Sequence, residues 1–178
     1  MKIRDDGLRY GLVTRVLHWG IAGLLLYQLG GVVAGAALGE TPLTEAWGSS
    51  HKTVGGLLIV LAVLRALWGF YNLATRPTGI GGVVGRLAGI GHLVLYGLML
   101  AVPALALLRQ YGSGRAFEVF GLTIMQGGGE RIEWMMAPAR AYHGLLGWVL
   151  LVAVLGHIIM ALVHHFVLKD NTLRRMAG

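Results

Sequence analysis

The sequence predicts an all-α integral membrane protein, a bundle of four transmembrane helices with both termini in the cytoplasm. Of its 178 residues, 56% are hydrophobic and only 13% are charged, whereas about 25% of a soluble domain is charged. The charged residues are concentrated in connectors between four long apolar runs. Glycine occurs 29 times, which is typical of closely packed membrane helices.

The four apolar runs define the predicted spans of a single domain, residues 1–178. The spans cover about 16–38, 51–71, 88–108 and 142–168, each near the roughly 20 residues that cross a bilayer. The first run is too long for a cleaved signal peptide, so we expect it to be retained. The connector 109–141 contains several apolar side chains, and part of it should lie as a cap at the membrane interface.

The charges predict the orientation, because four spans place both termini on one side. The basic residues on that side are Lys2, Arg4, Arg9, Arg15, Arg65, Arg76, Arg86, Lys169, Arg174 and Arg175, against Asp5, Asp6 and Asp170. The other side has Lys52, Arg109, Arg115, Arg131 and Arg140, against Glu40, Glu45, Glu118, Glu130 and Glu133. The net charge of +7 therefore belongs to one side, which predicts cytoplasmic termini and no nucleic-acid partner.

Seven histidines lie within or at the ends of the spans: His18, His51, His92, His143, His157, His164 and His165. A histidine at membrane depth indicates a functional site, although a single one is often only a hydrogen bond between helices. His143 and His157 lie within about 40° of one helix face and about 21 Å apart. This spacing predicts two axially ligated haems at two depths, since one metal ion cannot bind both side chains.

Depth predicts the ligand pairs. His51 and His143 lie at the outer side and would bind the outer haem iron, whereas His18 and His157 would bind the inner one. His164 is an alternative inner ligand, because it lies seven residues beyond His157 on nearly the same face. The absence of cysteine excludes thioether attachment, so the predicted cofactors are two non-covalent haem b groups.

Other residues have candidate roles around these ligands. Small residues that would leave room for porphyrin follow three of the histidines: Gly20, Gly23, Gly55, Gly56, Gly144 and Gly147. Arg15 and Arg65 are predicted to pair with propionates of the inner haem, or else to reach toward headgroups. His92 would bond a quinone, relay a proton or lie at the interface, and His165 would contact headgroups.

Seven segments, in order, resemble the bacterial cytochrome b561 family: VLHW (16–19), HKTVG (51–55), GHLVLY (91–96), YHG (142–144), GH (156–157), ALVHH (161–165) and KDNTLRRM (169–176). The resemblance implies a four-helix, di-haem protein of the bacterial inner membrane. It favours His157 over His164, and so implies the ligands His18, His51, His143 and His157.

The resemblance also implies electron exchange with the quinone pool, and some similar members oxidise superoxide and reduce ubiquinone. We expect the same reaction here. Lys52 and Arg115, with the other basic residues of the outer side, would attract the superoxide anion to the outer haem. Alternatively, the glutamates of that side neutralise them in an ordinary solvated loop.

Two other functions compete with this prediction. A haem b subunit that anchors a dehydrogenase or hydrogenase would have the same ligands, but a partner redox subunit as its electron donor. A haem-free metal or proton transporter is disfavoured, because no Asp or Glu lies inside any predicted span.

Overall fold

The computed structural model describes residues 2–77 and 81–178. Four long helices form the protein: α1 (Leu12–Leu38), α2 (Pro42–Tyr71), α3 (Gly82–Gly112) and α4 (Glu133–Phe166). Each is long and apolar enough to cross a bilayer. Large apolar side chains such as Leu93 and Val152 are about 70% exposed on the outer surface of the bundle (72% and 69%), where lipid would cover them. The prediction of a four-helix membrane bundle is confirmed.

The helices extend beyond the predicted spans, because hydropathy detects only the part that lies in hydrocarbon. α2 begins at Pro42, after a capping box in which the Thr41 hydroxyl accepts from the Thr44 backbone, and it therefore starts nine residues before the predicted boundary at 51. α4 starts at Glu133 instead of 142 and ends at Phe166, before the predicted boundary at 168. Helical hydrogen bonds do not require an apolar environment, so the helices continue into the polar connectors.

One small sheet lies in the connector between α3 and α4, outside the four helices. Strands β1 (Phe117–Val119) and β2 (Leu122–Met125) form an antiparallel hairpin. Its two-residue turn has positive φ at both positions, 50° at Phe120 and 77° at Gly121, as a type I′ turn requires. The hairpin packs against α2, where a Cβ added to Gly56 would lie 3.3 Å from the ring of buried Phe117.

The core of the bundle lies at its mid-depth. Ile21 and Leu25 of α1, Leu58 of α2 and Leu150 of α4 form a buried apolar cluster, against which Leu95, Leu98 and Met99 of α3 pack. Leu150 is seven residues from both His143 and His157 along α4. The cluster therefore separates an outer level of the bundle, which contains His143, from an inner level, which contains His157.

Both termini lie at the same end of the bundle, the inner end. After α4 the chain reverses at Lys169, whose φ is 52°, and forms the short helix α5 (Thr172–Ala177). The backbone carbonyl of Met176 accepts hydrogen bonds from the Arg15 Nε and the Trp19 indole, both at 3.2 Å. α5 is thus held on the start of α1. Residues 78–80, part of the connector between the second and third spans, lie outside the described residues.

Candidate functional site

The outer level of the bundle brings together one histidine from α2 and one from α4. The ring centroids of His51 and His143 are 6.1 Å apart, with the planes at 72°. The Nδ1 of His143 lies 3.0 Å from the backbone carbonyl of Val102. Since a carbonyl only accepts, Nδ1 carries the hydrogen, and Nε2 keeps a lone pair that can bind a metal.

The inner level brings together His18 of α1 and His157 of α4, with ring centroids 6.3 Å apart and planes at 64°. These are the two pairs that depth counting predicts. An iron bound by two imidazoles on opposite sides lies about 2 Å from each nitrogen, so the two ring centroids should be about 6 Å apart. Both pairs therefore have a separation that fits one iron between them.

The surroundings of the outer pair also fit a porphyrin. A cavity of about 610 Å³ is lined by both histidines and by Gly55, Gly144 and Gly147. A Cβ at Gly144 or Gly147 would meet nothing within 4 Å, and one at Gly55 would meet only the Gln28 amide, at 3.5 Å. The glycines thus leave open space beside the ligand candidates, whereas Gly56 makes room for Phe117 instead.

The two arginines predicted near the inner pair have different surroundings. Arg65 of α2 hydrogen-bonds the Tyr96 hydroxyl, and its Nη2 lies 3.2 Å from the Nδ1 of His18. Arg15 hydrogen-bonds the backbone carbonyls of Met176 and Ala177 in the C-terminal helix. Arg65 therefore lies directly beside the inner pair, whereas Arg15 joins α1 to α5.

The histidine that spacing leaves as an alternative, His164, has a different partner. It is buried, and its Nδ1 lies 2.6 Å from a carboxylate oxygen of Asp170. Burial raises the pKa of Asp170, but hydrogen bonds from the Thr172 backbone and from His164 outweigh this and lower the pKa from 3.8 to about 2. Among the described residues, His18 is thus within ring contact of His157, and His164 is bound to Asp170.

His92 and His165 lie outside the two pairs. The ring of His92 is exposed but only 5.3 Å from that of His157, and its Nδ1 is 2.7 Å from the Ala88 carbonyl. His165 is half-buried, with its ring edge against Phe166. His92 is therefore a polar side chain of α3 next to His157.

Basic side chains surround the outer cavity. Those that line it are Lys52, Arg109, Arg115, Arg131 and Arg140. Within the described residues, only Arg140 of this set has an acidic partner within 4 Å, Glu133. Among the described residues, the other glutamates of this end therefore form no ion pair with these basic side chains.

Three side chains near the inner pair were not predicted from the sequence. Tyr96 binds Arg65, Asp170 binds His164, and Arg76 lies against Gly69. Tyr96 is one turn beyond His92 on α3, a spacing that could have indicated it. The contacts of Asp170 and Arg76 depend on how the chain turns after a helix, which periodicity does not show.

Known proteins resemble this chain over most of its length. A family model described as prokaryotic cytochrome b561 matches residues 9–178. Cytochrome b561 homolog 2 of Escherichia coli is 31% identical, in a match that covers all of this chain and 96% of the relative's length. The probable superoxide oxidase CybB of Yersinia pestis is 39% identical over 71% of this chain and 72% of its own. Cytochrome b562 of Cereibacter sphaeroides is 32% identical, covering 94% of each chain.

Proposed function

The chain belongs to the prokaryotic cytochrome b561 family, and on that basis we propose that it is a di-haem oxidoreductase that oxidises superoxide and reduces ubiquinone. Membership of this family makes it a membrane haem protein of electron transport. The proposal adds two haem b groups, the two substrates, the bacterial inner membrane and cytoplasmic termini.

The observation that carries the proposal is the pair of histidine sites at two depths, with centroid separations of 6.1 and 6.3 Å. His51 and His143 would hold the outer haem, and His18 and His157 the inner one. When bound, each haem supplies a one-electron couple at its own level of the membrane. Held by two histidines each, the haems would serve in electron transfer and not in oxygenation.

Residues near the two pairs orient one ligand and separate the two levels. The Val102 carbonyl fixes the orientation of His143, which is how ligand rings are usually aligned. The cluster of Ile21, Leu25, Leu58 and Leu150 excludes water between the levels. An apolar interior without water keeps reorganisation small during electron transfer and hinders proton leakage.

Superoxide as the donor is supported by the charge at the outer cavity and by the name of the Yersinia relative. Two superoxide anions lose one electron each and leave as two molecules of dioxygen. One quinone takes up these two electrons and two protons and becomes quinol. Quinone is confined to the bilayer, and the exposed His92 is a polar group beside the inner pair that its head group can reach.

The test uses purified full-length protein in detergent. We expect a reduced b-type absorption spectrum, haem reduction by enzymatically generated superoxide, and quinol formation when ubiquinone is added. His143→Ala and His157→Ala should each lose about half of the haem, whereas His165→Ala should keep it. A protein without b-type absorption contradicts the proposal. A protein that superoxide does not reduce, but that co-purifies with a soluble redox subunit, favours the anchoring function instead.

Attraction of superoxide by the outer basic residues is tested with Lys52→Gln and Arg115→Gln. Electrostatic steering raises association rates by about 10-fold or more and weakens with salt. We therefore expect the double variant to slow superoxide-driven haem reduction several-fold at low salt, and to flatten its salt dependence. Arg174→Gln, at the opposite end, serves as the control. An unchanged salt dependence would contradict the steering role.

A further inference from the structure

Two arginines at the inner end have donors without an acceptor. The Nε atoms of Arg65 and Arg76 are both fully buried, and neither has a hydrogen-bond partner among the described residues. A buried guanidinium N–H without an acceptor is costly, and it calls for a specific explanation. An anionic group that accepts from both side chains would provide one.

The chain brings Arg76 toward Arg65 by means of a glycine. Gly69 lies one turn after Arg65 on the same face of α2, and it is buried. A Cβ at Gly69 would lie 3.4 Å from the Cζ of Arg76 and would overlap a terminal nitrogen of its guanidinium. The 3₁₀ turn Leu73–Thr75 follows α2, so Arg76 runs back along the helix and covers Gly69. Any side chain at position 69 would displace it.

No acid of the protein neutralises this pair among the described residues. At this end, Asp6 pairs with Lys2 and Asp170 with His164. One oxygen of Asp5 accepts from the Gly11 amide and the Thr14 hydroxyl. The Arg76 guanidinium lies against Gly69, one helical turn from Arg65 on the same face of α2. Partly buried positive charges without acidic partners are costly, and an anion bound between them would offset that cost.

The pair lies at the edge of the inner histidine site, where the Nη2 of Arg65 is 3.2 Å from His18. Guanidinium groups bind carboxylates with two parallel hydrogen bonds, which makes arginine the preferred partner for such groups. The only carboxylates of haem b are its two propionates. Arg65 thus places guanidinium donors beside the inner histidine pair, where the carboxylates of a haem held by His18 and His157 would need partners.

We propose that Arg65 and Arg76 together bind the propionates of the inner haem, and that Gly69 is required because it lets Arg76 reach them. The proposal rests on the haem-binding part of the proposed function and not on its substrates. Arg76 would then contact the haem directly through a propionate, whereas Gly69 acts as a positioning residue that leaves room for the Arg76 guanidinium.

The experiment compares purified full-length Arg76→Gln and Gly69→Ala with the wild type. The readouts are the haem-to-protein ratio and an equilibrium redox titration followed in the visible spectrum. Loss of a positive charge near a propionate favours the oxidised haem. We therefore expect the same one of the two one-electron steps to move to lower potential in both variants. Arg65→Gln/Arg76→Gln should lose up to half of the haem.

Matched controls are Arg86→Gln, an exposed arginine of the same end, and Gly97→Ala, an exposed glycine in open space on α3. Both should keep the haem content and both potentials. Unchanged potentials in Arg76→Gln would overturn the proposal. So would a loss of co-purified phospholipid phosphorus with no redox change, which would assign the arginines to a lipid phosphate. A wild type without haem overturns the proposed function, and this pairing with it.

Discussion

Two histidines on nearly the same face of α4 have different partners in this protein. His157 and His164 are seven residues apart on nearly one face of α4, yet His157 faces His18 and His164 binds Asp170. The difference arises after the helix ends. Lys169 has a φ of 52°, and the Asp170 amide donates to the His164 carbonyl, so the chain folds back onto the last turn. Helical spacing could not distinguish the two histidines, because the Asp170 contact is made by a turn.

We expect Asp170→Asn to destabilise the inner end of the bundle. A hydrogen bond to a charged group contributes about 1.5–3 kcal/mol when it is buried and less here, because the Asp170 side chain is 27% exposed. The neutral amide would weaken it further. The pKa of Asp170 is lowered from 3.8 to about 2 in the folded protein. Its contribution is therefore complete above pH 3.8 and is lost as the pH falls toward 2.

Thermal unfolding in detergent, followed by circular dichroism between pH 3 and pH 7, measures this effect. The melting temperature of Asp170→Asn should be several degrees lower than that of the wild type at pH 7, and the gap should narrow near pH 3. Glu40→Gln, an exposed acid of the opposite end, should match the wild type throughout. A gap that widened toward low pH would contradict the role assigned to Asp170.

Among the helices and strands, features that follow from regular helix geometry could be predicted from the sequence. A helix rises about 1.5 Å per residue, so counting residues placed His51 with His143 and His18 with His157. The helix starts at Pro42 and Glu133 were missed, because capping and polar extension lie outside the apolar signal. The hairpin was missed because Phe120, a residue that disfavours positive φ, occupies its turn.

The open space beside α4 predicts that Gly147→Leu lowers the haem content. A leucine there would project into the 610 Å³ cavity, because Gly147 lines it and a Cβ at this position meets nothing within 4 Å. The variant should fold but retain about half of the haem, as measured by absorption per protein. Gly97→Leu on the exposed side of α3 should retain all of it. Equal haem in the two variants would mean that the cavity does not hold the cofactor.

At the scale of the whole molecule, the charges of the two ends differ. The end that carries both termini has all of the net charge of +7, and the opposite end sums to zero. The fold confirms that the N-terminal segment, the start of the second connector and the C-terminal helix share one end, since the Gly7 amide donates to Thr75 and the Tyr10 amide to Arg175. The positive-inside rule then predicts that this end faces the cytoplasm.

This orientation can be measured directly, because the chain has no cysteine to give background labelling. We expect Glu40→Cys, in the connector between α1 and α2, to react with a membrane-impermeant thiol reagent in intact spheroplasts. Asn171→Cys should react only after the membrane is permeabilised. Both positions are exposed, so the difference reports the side and not burial. Labelling in the reverse order would show that the termini are outside.

The contact between α5 and α1 has a consequence for biogenesis. Arg15 and Trp19 enter the membrane with the first helix, but the Met176 carbonyl that both of them bind follows the fourth. The inner end therefore cannot close during the insertion of the first three helices. Contacts between distant parts of a chain form late in folding. The first and last helices are therefore joined at this end only after the C-terminal helix has been made.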